Sequence, residues 1–380
     1  MQINIDDKHR LKSQPLDLPQ RLLLGPGPSN PDPRVLSAIG ADVIGHLDPV
    51  FIQLMSEIQE LLRYVFQTDN ELTIPVSGTG SAAMEASVAN TLEPGDVILI
   101  AVNGYFGQRL SEMAGRYGAD VRILEKPWGE CFSLEDIKSG LEQHRPGIFG
   151  VVHGETSTGI LQPMDGLGDL CREYDCLLLV DTVASLGGVP FYTDKWGADI
   201  VYSGSQKCLS CPPGLAPITF SPRAVEKLHG RKSKVANWYL DLTLLTKYWG
   251  TERTYHHTAP INMNYALREA LIILAEEGLE ASWNRHQQTA EYLWEGLARI
   301  DLIPLAPYDH RLVSLTTVRV PEGIDAKAVS SRLLNKYNIE IAGGFGPLAG
   351  KIWRVGLMGF NSRKENVDRL LNALNTMLVN

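Results

Sequence analysis

Two stretches of this 380-residue chain end in side chains that together could do chemistry on a carbonyl group. Leu177-Leu-Leu-Val-Asp181 is an apolar run that ends in a carboxylate, and Val201-Tyr-Ser-Gly-Ser-Gln-Lys207 passes through small polar residues into a lysine. A lysine at the end of a buried strand can form a Schiff base with a carbonyl cofactor, and an aspartate can hold a protonated pyridine nitrogen. Lys207 and Asp181 therefore predict a catalytic pair that works with pyridoxal phosphate.

A glycine-rich segment, Ser77-Gly-Thr-Gly-Ser-Ala-Ala83, follows a predicted strand and opens a predicted helix. Backbone N–H groups at a helix N-terminus, together with hydroxyl groups, form a phosphate site. The spacing also matches a dinucleotide-binding loop, which would place an acidic residue at the end of the next strand. That strand ends in Asn103, so a single phosphate fits better than a dinucleotide. An ordinary capped turn is the alternative interpretation.

Three further positions could contribute to a polar pocket. Arg354 lies on an otherwise apolar stretch and needs an anionic partner, either a substrate carboxylate or a structural ion pair. His153 begins the polar segment 153–159 and is either a pocket residue or a histidine of the core. Tyr105 and Phe106 could stack on a planar cofactor or pack in the core.

Short apolar runs that alternate with amphipathic segments must position these residues. Strands are predicted at Leu72–Val76, Val97–Val102, Asp120–Leu124, Ile148–His153, Leu177–Asp181, Ile200–Ser203 and Ala216–Phe220. Helical patterns lie between several of them, which predicts an α/β fold with a seven-stranded, mostly parallel sheet. Ligands of such sheets lie at the carboxyl ends of the strands, where His153, Asp181 and Lys207 should converge.

The rest of the chain predicts three parts. Residues 1–21 are polar with scattered prolines and resemble an extended arm, and residues 22–277 form the large cofactor-binding domain. Long helices are predicted at 262–283 and 286–300. Residues 278–380 are expected to form a smaller α+β domain docked on the large one.

Composition excludes several classes of function. The net charge is −9 and no basic cluster forms a nucleic-acid footprint, while no apolar run reaches the length of a membrane span. Five cysteines without a recognisable secretion signal indicate reduced thiols and a cytoplasmic enzyme. Cys208 and Cys211 form a C-x-x-C pair that lacks the second half of a zinc site, so we interpret them as packing thiols and expect no metal.

Taken together, the motifs resemble those of one family from about Leu22 to Arg369. They occur in this order: Gly25-Pro-Gly-Pro28, Ser77-Gly-Thr-Gly80, Asn103-Gly-Tyr-Phe-Gly-Gln-Arg109, His153-Gly-Glu-Thr-Ser-Thr-Gly159, Val180-Asp-Thr-Val-Ala-Ser-Leu-Gly-Gly188, Tyr202-Ser-Gly-Ser-Gln-Lys207, Tyr255-His-His-Thr258 and Trp353-Arg-Val-Gly356. The family is the class V aminotransferases, which belong to the fold-type I pyridoxal phosphate enzymes.

The resemblance implies a role for each matching residue at the cofactor. Lys207 would hold pyridoxal phosphate and move the proton, and Asp181 would bind the pyridine nitrogen. Phe106 would stack on the ring, and Thr156 would contact the region of its hydroxyl group. Animal members carry Trp at Phe106 and His at Ser81, which affects cofactor affinity and fine specificity. The phosphate would be held by Thr79, Gly80, Ser81 and Gln206.

The resemblance also implies the reaction and the assembly. The expected activity is transamination of alanine, or of serine, with glyoxylate to give glycine and a 2-keto acid. Arg354 would bind the substrate carboxylate, and Gly27 would line the substrate pocket. Tyr255 and Thr258 would reach the phosphate of a neighbouring subunit, which implies a homodimer.

Other functions compete with this interpretation. Within pyridoxal phosphate chemistry they are serine–glyoxylate transamination, aminoethylphosphonate–pyruvate transamination and cysteine desulfuration. A desulfurase needs a mobile reactive cysteine, and no cysteine lies on an evident flexible loop. A nucleotide-binding oxidoreductase would leave Lys207 and Asp181 unexplained, and the same pair argues against a non-catalytic interaction protein.

Overall fold

The computed structural model describes residues 8–10 and 14–378, and a seven-stranded sheet forms its centre. The strands in chain order are β1 (Leu22–Leu23), β2 (Leu72–Ser77), β3 (Val97–Val102), β4 (Asp120–Glu125), β5 (Ile148–Val152), β6 (Gly154–Glu155), β7 (Ile160–Leu161), β8 (Leu177–Asp181), β9 (Ile200–Tyr202), β10 (Leu215–Phe220), β11 (Leu315–Arg319), β12 (Ile339–Glu340), β13 (Ala342–Gly343) and β14 (Ile352–Gly356). The large sheet has the order β2-β10-β9-β8-β5-β3-β4. Only β10 runs antiparallel to its neighbours, so the predicted seven-stranded, mostly parallel sheet is confirmed.

Helices cover the sheet and build the C-terminal part. They are α1 (Pro33–Ile39), α2 (Pro49–Phe66), α3 (Gly80–Thr91), α4 (Tyr105–Arg116), α5 (Leu134–His144), α6 (Leu167–Glu173), α7 (Pro222–His229), α8 (Leu242–Trp249), α9 (Ile261–Glu277), α10 (Leu279–Ala298), α11 (Ala326–Tyr337) and α12 (Lys364–Leu378). Local signals start several of them, because the side chain of Asp48 accepts the Val50 N–H before α2, and Ser133 with Asp136 forms a capping box at α5.

Two helix boundaries differ from the sequence-based prediction, and one of them matters for the site. The break expected between residues 283 and 286 lies at Gly278 instead, where a φ of +84° ends α9. Such a backbone angle favours glycine, which explains the position of the break. Helix α4 begins at Tyr105, three residues before the start at Gln108 that its apolar spacing predicts, and this places Phe106 and Arg109 on one helical face.

The strand register aligns the catalytic ends of three strands. Val152 pairs with Asp181, and Asp181 pairs with Tyr202, so β5, β8 and β9 end level with one another. All residues of β8 and β9 are buried, because helices pack on both faces of the sheet. The loops that follow these strands therefore meet at one edge.

A second hydrophobic cluster lies in the C-terminal part, between α10, α11, α12 and the sheet β11-β14-β13. Leu22 and Leu24 belong to this cluster, and β1 pairs parallel with β12 through Leu22 and Ile339. The proposed division at residues 277 and 278 is thus crossed by the first strand. Of the proposed arm at 1–21, residues 1–7 and 11–13 lie outside the described residues, and 14–20 are exposed. In the part of the chain that the structure describes, no helix has the length and apolar character needed to cross a membrane.

Candidate active site

The carboxyl edge of the large sheet holds a cavity of about 170 Å³. It lies where the ends of β5 and β8, the loop after β9 and the N-terminus of α3 meet, as expected for a parallel sheet. The cavity is lined by Thr79, Gly80, Ser81, Met84, Phe106, Arg109, Val152, Gly154, Thr156, Asp181, Val183, Ala184, Gln206 and Lys207. The predicted catalytic pair and the predicted cofactor residues of this chain, other than Tyr255 and Thr258, therefore lie around one cavity.

Lys207 enters the cavity from the loop that follows β9. Its ammonium group donates to the carbonyl oxygen of Pro26. Burial, with a smaller contribution from the charge of Arg354, lowers the pKa of Lys207 to about 8. A Cβ on Gly27 would lie 2.7 Å from the lysine Nζ, and the φ of Gly27 is +101°. The positive φ at position 27 favours glycine, and a side chain there would force the end of Lys207 to move.

Asp181 is buried at the end of β8 and its carboxylate is fixed on both oxygens. Oδ1 accepts the N–H of Val183 at 2.8 Å, and Oδ2 accepts the hydroxyl of Tyr202 at 2.8 Å. Burial raises the pKa of Asp181 to about 6, so this carboxylate lacks a full positive partner in the protein alone. A protonated ring nitrogen placed beside Asp181 would supply that partner. Sequence reasoning gave Tyr202 no role, although it lies directly in the motif that ends in Lys207.

The start of α3 fits an anionic group such as a phosphate. Thr79 is the N-cap of the helix, but its hydroxyl makes no capping bond and remains available. Gln206 Oε1 is buried without a hydrogen-bond partner, so Gln206 has unused capacity beside the same loop. Arg109 Nη1 donates to Ser81 Oγ at 3.2 Å and brings a cation to this end of the cavity. The hydroxyls of Thr79 and Ser81 and the guanidinium of Arg109 can donate to a group with several acceptor oxygens, whereas Gln206 Oε1 can only accept a hydrogen bond.

Phe106 lies in the first turn of α4 and Thr156 in the loop between β6 and β7, and the carboxylate of Glu155 links these two segments. Glu155 is fully buried and accepts the N–H of Phe106 at 2.9 Å, and it also accepts the N–H and the hydroxyl of Ser157. The guanidinium of Arg109 lies 4.9 Å from the centre of the Phe106 ring. Arg109 and Glu155 were not predicted as site residues. Only the three-residue spacing of Arg109 from Phe106 could have indicated the former.

Arg354 is a buried arginine whose two terminal nitrogens are unused within the described part of the chain. It lies on β14, its Nε donates to the carbonyl oxygen of Gly343 at 2.7 Å, and the Phe345 ring centre is 4.0 Å from Cζ. Among the described residues no carboxylate pairs with it and neither terminal nitrogen has a hydrogen-bond partner. Burial lowers the pKa of Arg354 to about 10. An anion that enters the site would satisfy this guanidinium, which favours the substrate-carboxylate interpretation over a structural ion pair.

Tyr255 and Thr258 do not line the cavity of their own chain. Both side chains are exposed, and Tyr255 is 57% accessible. Between them, His257 Nε2 lies 2.8 Å from Ser77 Oγ, so this segment contacts the loop that leads into α3. Their predicted role in a neighbouring subunit's site stays a prediction.

His153 is a core histidine and does not belong to the cavity lining. Its Nδ1 lies 2.8 Å from Ser185 Oγ, its ring packs against Phe191 and Trp196, and burial lowers its pKa to about 3. The expectation that His153 converges with Lys207 at the pocket is therefore wrong. The strand ends at Val152, so the side chain of residue 153 faces the packed interior instead.

The five cysteines are free, and none provides a reactive thiolate or a metal site. Burial raises the pKa of Cys208 and Cys211 to about 12, and Cys208 packs in a cluster between the two parts of the chain. No group of three or more His, Cys, Asp or Glu side chains that could hold a metal occurs within the described ranges. The interpretation of Cys208 and Cys211 as packing thiols agrees with this environment.

Comparison with known proteins gives consistent relatives. The model of the family "aminotransferase class-V" matches residues 34–370. The alanine–glyoxylate aminotransferase of Rattus norvegicus is 48% identical over 96% of this chain and 89% of its own length. The (S)-ureidoglycine–glyoxylate transaminase of Bacillus subtilis is 41% identical over 95% of this chain and 91% of its own length. The crystal structure of an alanine–glyoxylate aminotransferase from Nostoc sp. superimposes with a TM-score of 0.98, at 63% identity, over 99% of this chain and 100% of that one.

Proposed function

The chain belongs to the class-V aminotransferase family, and we propose that it transfers the amino group of L-alanine to glyoxylate, giving pyruvate and glycine. The observation that carries this proposal is the cavity lined by Lys207 and Asp181, with Arg354 near enough to lower the pKa of Lys207. Lys207 offers an amine with a lowered pKa, Asp181 offers a buried carboxylate without a cation, and Arg354 offers unused guanidinium donors. These are the groups needed to hold a carbonyl cofactor, its ring nitrogen and a substrate carboxylate.

Pyridoxal phosphate is the cofactor of this family, and the residues present fit it. The uncapped hydroxyl of Thr79 and the guanidinium of Arg109 lie at the end of the cavity that suits an anion, and Phe106 offers a ring beside the cavity. The cofactor supplies the electron sink that stabilises negative charge on the α-carbon of the substrate. The protein supplies the placement of the reacting groups and the charges around them.

Two residues carry the proton chemistry. Lys207 would hold the cofactor through its amine, and the same amine, once free, would take the proton from the α-carbon of the substrate. A pKa near 8 leaves a useful fraction of this amine neutral at physiological pH. Asp181 keeps a proton on the ring nitrogen, because a buried carboxylate stabilises the neighbouring cation. Tyr202 and Val183 hold that carboxylate in place.

Arg354 orients both substrates. Alanine and glyoxylate each carry a carboxylate, and the terminal nitrogens of Arg354 can bind it through two parallel hydrogen bonds. Gly27 lies against Lys207, so a substrate bound there meets backbone rather than a side chain. Serine shares the same groups at its α-carbon and is the nearest alternative amino donor.

The same site argues against cysteine desulfuration. Burial raises the pKa of Cys131, the least buried of the five cysteines, to about 12, and its Sγ donates to the carbonyl oxygen of Leu161. A persulfide-forming cysteine needs a thiolate on a mobile segment. Asn103 at the end of β3 donates to the carbonyl oxygen of Glu130, so it takes no part in ribose binding, and this argues against a nucleotide-binding oxidoreductase.

We also propose that the protein works as a homodimer in the cytoplasm. The exposed Tyr255 and Thr258 are then the residues that complete the phosphate site of the partner subunit. A mixture of Lys207→Ala and Tyr255→Ala chains tests this assembly, because a hybrid dimer has one site with both residues intact. Mixing two inactive variants should restore part of the activity, whereas no recovery in a proven hybrid would refute the shared site. The five free thiols support a reducing compartment.

The visible absorption spectrum of the purified protein tests the central proposal. The cofactor's yellow band should fall when L-alanine is added and return when glyoxylate follows. Lys207→Ala should lose this cycle, and its turnover should fall almost to zero. If alanine leaves the yellow band unchanged but serine, cysteine or aminoethylphosphonate reduces it, that compound replaces alanine as the proposed amino donor. A colourless protein that does not take up added pyridoxal phosphate would overturn the proposal.

A further inference from the structure

Two arginines and two aromatic rings form a continuous stack beside the cavity. The Cζ atom of Arg354 lies 4.0 Å from the ring centre of Phe345, and the rings of Phe345 and Tyr105 are 4.9 Å apart with 37° between their planes. On the other side, the Cζ atom of Arg109 lies 5.1 Å from the centre of Tyr105. The stack joins the segment after β13 to the start of α4. It therefore links the part that carries Arg354 to the part that carries the cofactor residues.

Both rings of the pair are held through their backbones. The N–H of Tyr105 donates to Ser157 Oγ at 2.9 Å, within the hydrogen-bond network of the buried Glu155. Phe345 precedes a short 3-10 turn, where its carbonyl oxygen accepts the N–H of Leu348 at 2.9 Å. The two rings therefore lie in defined positions relative to each other, and Phe345 is the ring that contacts Arg354.

The ring of Phe345 limits how Arg354 can meet an anion. It covers one face of the guanidinium, and Nε is already bonded to Gly343. What remains is the edge with the two terminal nitrogens, which is the edge that binds a carboxylate in a bidentate pair. A cation over an aromatic face is attracted to the ring and loses rotational freedom there.

We propose that the Tyr105–Phe345 ring pair positions Arg354, so that its two terminal nitrogens face the carboxylate of the substrate. The inference rests on the proposed function, because alanine and glyoxylate both bring a carboxylate to this arginine. Phe345 acts through Arg354, and Tyr105 acts through Phe345. Neither ring takes part in the proton transfer, so the pair affects substrate binding rather than the chemical step.

Truncation of either ring should therefore raise KM and leave kcat nearly unchanged. Phe345→Ala should raise KM for alanine and for glyoxylate roughly 3- to 30-fold, which corresponds to the usual strength of a cation–π contact. Tyr105→Ala should act in the same direction. At saturating pyridoxal phosphate, which offsets any effect of Tyr105 on the cofactor through Arg109, the double variant should be no worse than Phe345→Ala alone, because Tyr105 reaches Arg354 only through Phe345. Additive effects of the two substitutions would contradict the proposed order of action.

A matched control separates this role from a general loss of packing. The Cζ atom of Arg363 lies 3.8 Å from the Phe360 ring, so Phe360→Ala removes a similar contact from the C-terminal part, away from the cavity of Lys207. This variant should keep the wild-type KM values. Phe345→Tyr keeps a ring over the guanidinium and should recover most of the lost affinity. A thermal melt of each variant confirms that it is folded.

Binding of acetate to the holoenzyme gives a readout without turnover. Acetate has the carboxylate of the substrates but no group that reacts, and its dissociation constant can be measured from the change in the cofactor's visible band. Phe345→Ala should weaken acetate by the same factor as it raises KM. If the wild type fails to exchange alanine with glyoxylate, the proposed function is wrong, and acetate binding still decides the role of the rings. An active wild type whose Phe345→Ala variant keeps both KM and acetate affinity would overturn the inference alone.

Discussion

Replacement of Asp181 by asparagine should separate the charge of this residue from its structural contacts. Asp181 is 3% exposed, and its carboxylate accepts hydrogen bonds from Val183 and Tyr202. An asparagine can keep both contacts, because its amide oxygen can accept the Val183 N–H and its amide nitrogen can donate to the Tyr202 oxygen. The variant therefore loses the negative charge and little else.

The size of the effect follows from the position of that charge. A pyridinium nitrogen about 4 Å from a carboxylate is stabilised by about 4 kcal/mol at an effective dielectric constant of 20. If this stabilisation is lost in the transition state, the alanine half-reaction should slow by about 1000-fold. Single-turnover loss of the visible band after mixing with L-alanine, at saturating cofactor, measures this rate directly.

The stability of the protein without cofactor should change in the opposite direction. Burial raises the pKa of Asp181 to about 6, so its ionised form costs folding free energy at pH 7. The folded state binds the proton of Asp181 more tightly than the unfolded state does. The free energy of unfolding of the apoprotein therefore decreases as the pH rises from about 4 to 6. Asp181→Asn removes the cost and should raise the free energy of unfolding of the apoprotein by up to about 3 kcal/mol at pH 7. A thermal or denaturant melt checks this.

Tyr202→Phe provides the matched control. It removes one hydrogen bond to Asp181 but keeps the charge, so the half-reaction should slow by only about 10-fold. A rate in Asp181→Asn within about tenfold of the wild type would refute the electrostatic reasoning and make Asp181 a structural residue. If the half-reaction of Asp181→Asn is slow and its apoprotein is also strongly destabilised, the asparagine has failed to keep the local contacts.

Three further predictions follow from other buried groups. Loading of pyridoxal phosphate onto the apoprotein, measured by growth of the visible band, should speed up as the pH rises and level off above about 8, because Lys207 must lose its proton and its pKa is lowered to about 8; a pH-independent rate would contradict this. Glu155→Gln should cost about 1–3 kcal/mol of unfolding free energy and weaken cofactor retention on dialysis, since an amide nitrogen would face N–H donors. The control is Glu142→Gln, at an exposed hydrogen bond to Tyr174, which should change neither the stability nor the cofactor retention. Burial lowers the pKa values of His153 and His286 to about 3 and about 4, so both are neutral in the fold. The holoprotein should therefore lose about 1.4 kcal/mol of unfolding free energy per pH unit for each histidine as the pH falls from about 6.5 towards 4. A melting temperature that is flat across this range would show that neither histidine is neutral in the fold.

Local patterns in the chain predicted the sheet and its functional edge well. The strands at 97–102 and 177–181 have the predicted bounds, and the remaining five strands of the large sheet differ by a residue at one end. Strands of this kind are buried on both faces, so their apolar runs are long enough to recognise. Helix boundaries were less certain, as the break at Gly278 shows, because one glycine backbone angle decided it against a continuing amphipathic pattern.

The sequence predicted the site residues that follow a strand. It missed the residues whose role depends on contacts with distant segments of the chain. Lys207 and Asp181 follow apolar runs, and that position alone suggested chemistry. His153 has the same position but turns into the core. Arg109 and Glu155 lie within motifs that match the family, but the sequence assigned them no role, and their contacts with Ser81 and Phe106 show what they hold in place.

The sequence by itself determined the strand order along the chain, the proposed catalytic lysine and aspartate, and the family to which the motifs belong. These features depend on residue types and on spacings between residues that are close together in the sequence. The tertiary structure alone decided that Tyr202 holds Asp181, that Glu155 ties the Phe106 helix to the Thr156 loop, and that Phe345 covers Arg354. Such contacts depend on how the strands and helices pack. The direction of a side chain at the end of an element is set by its neighbours in space, and no periodicity in the sequence records it.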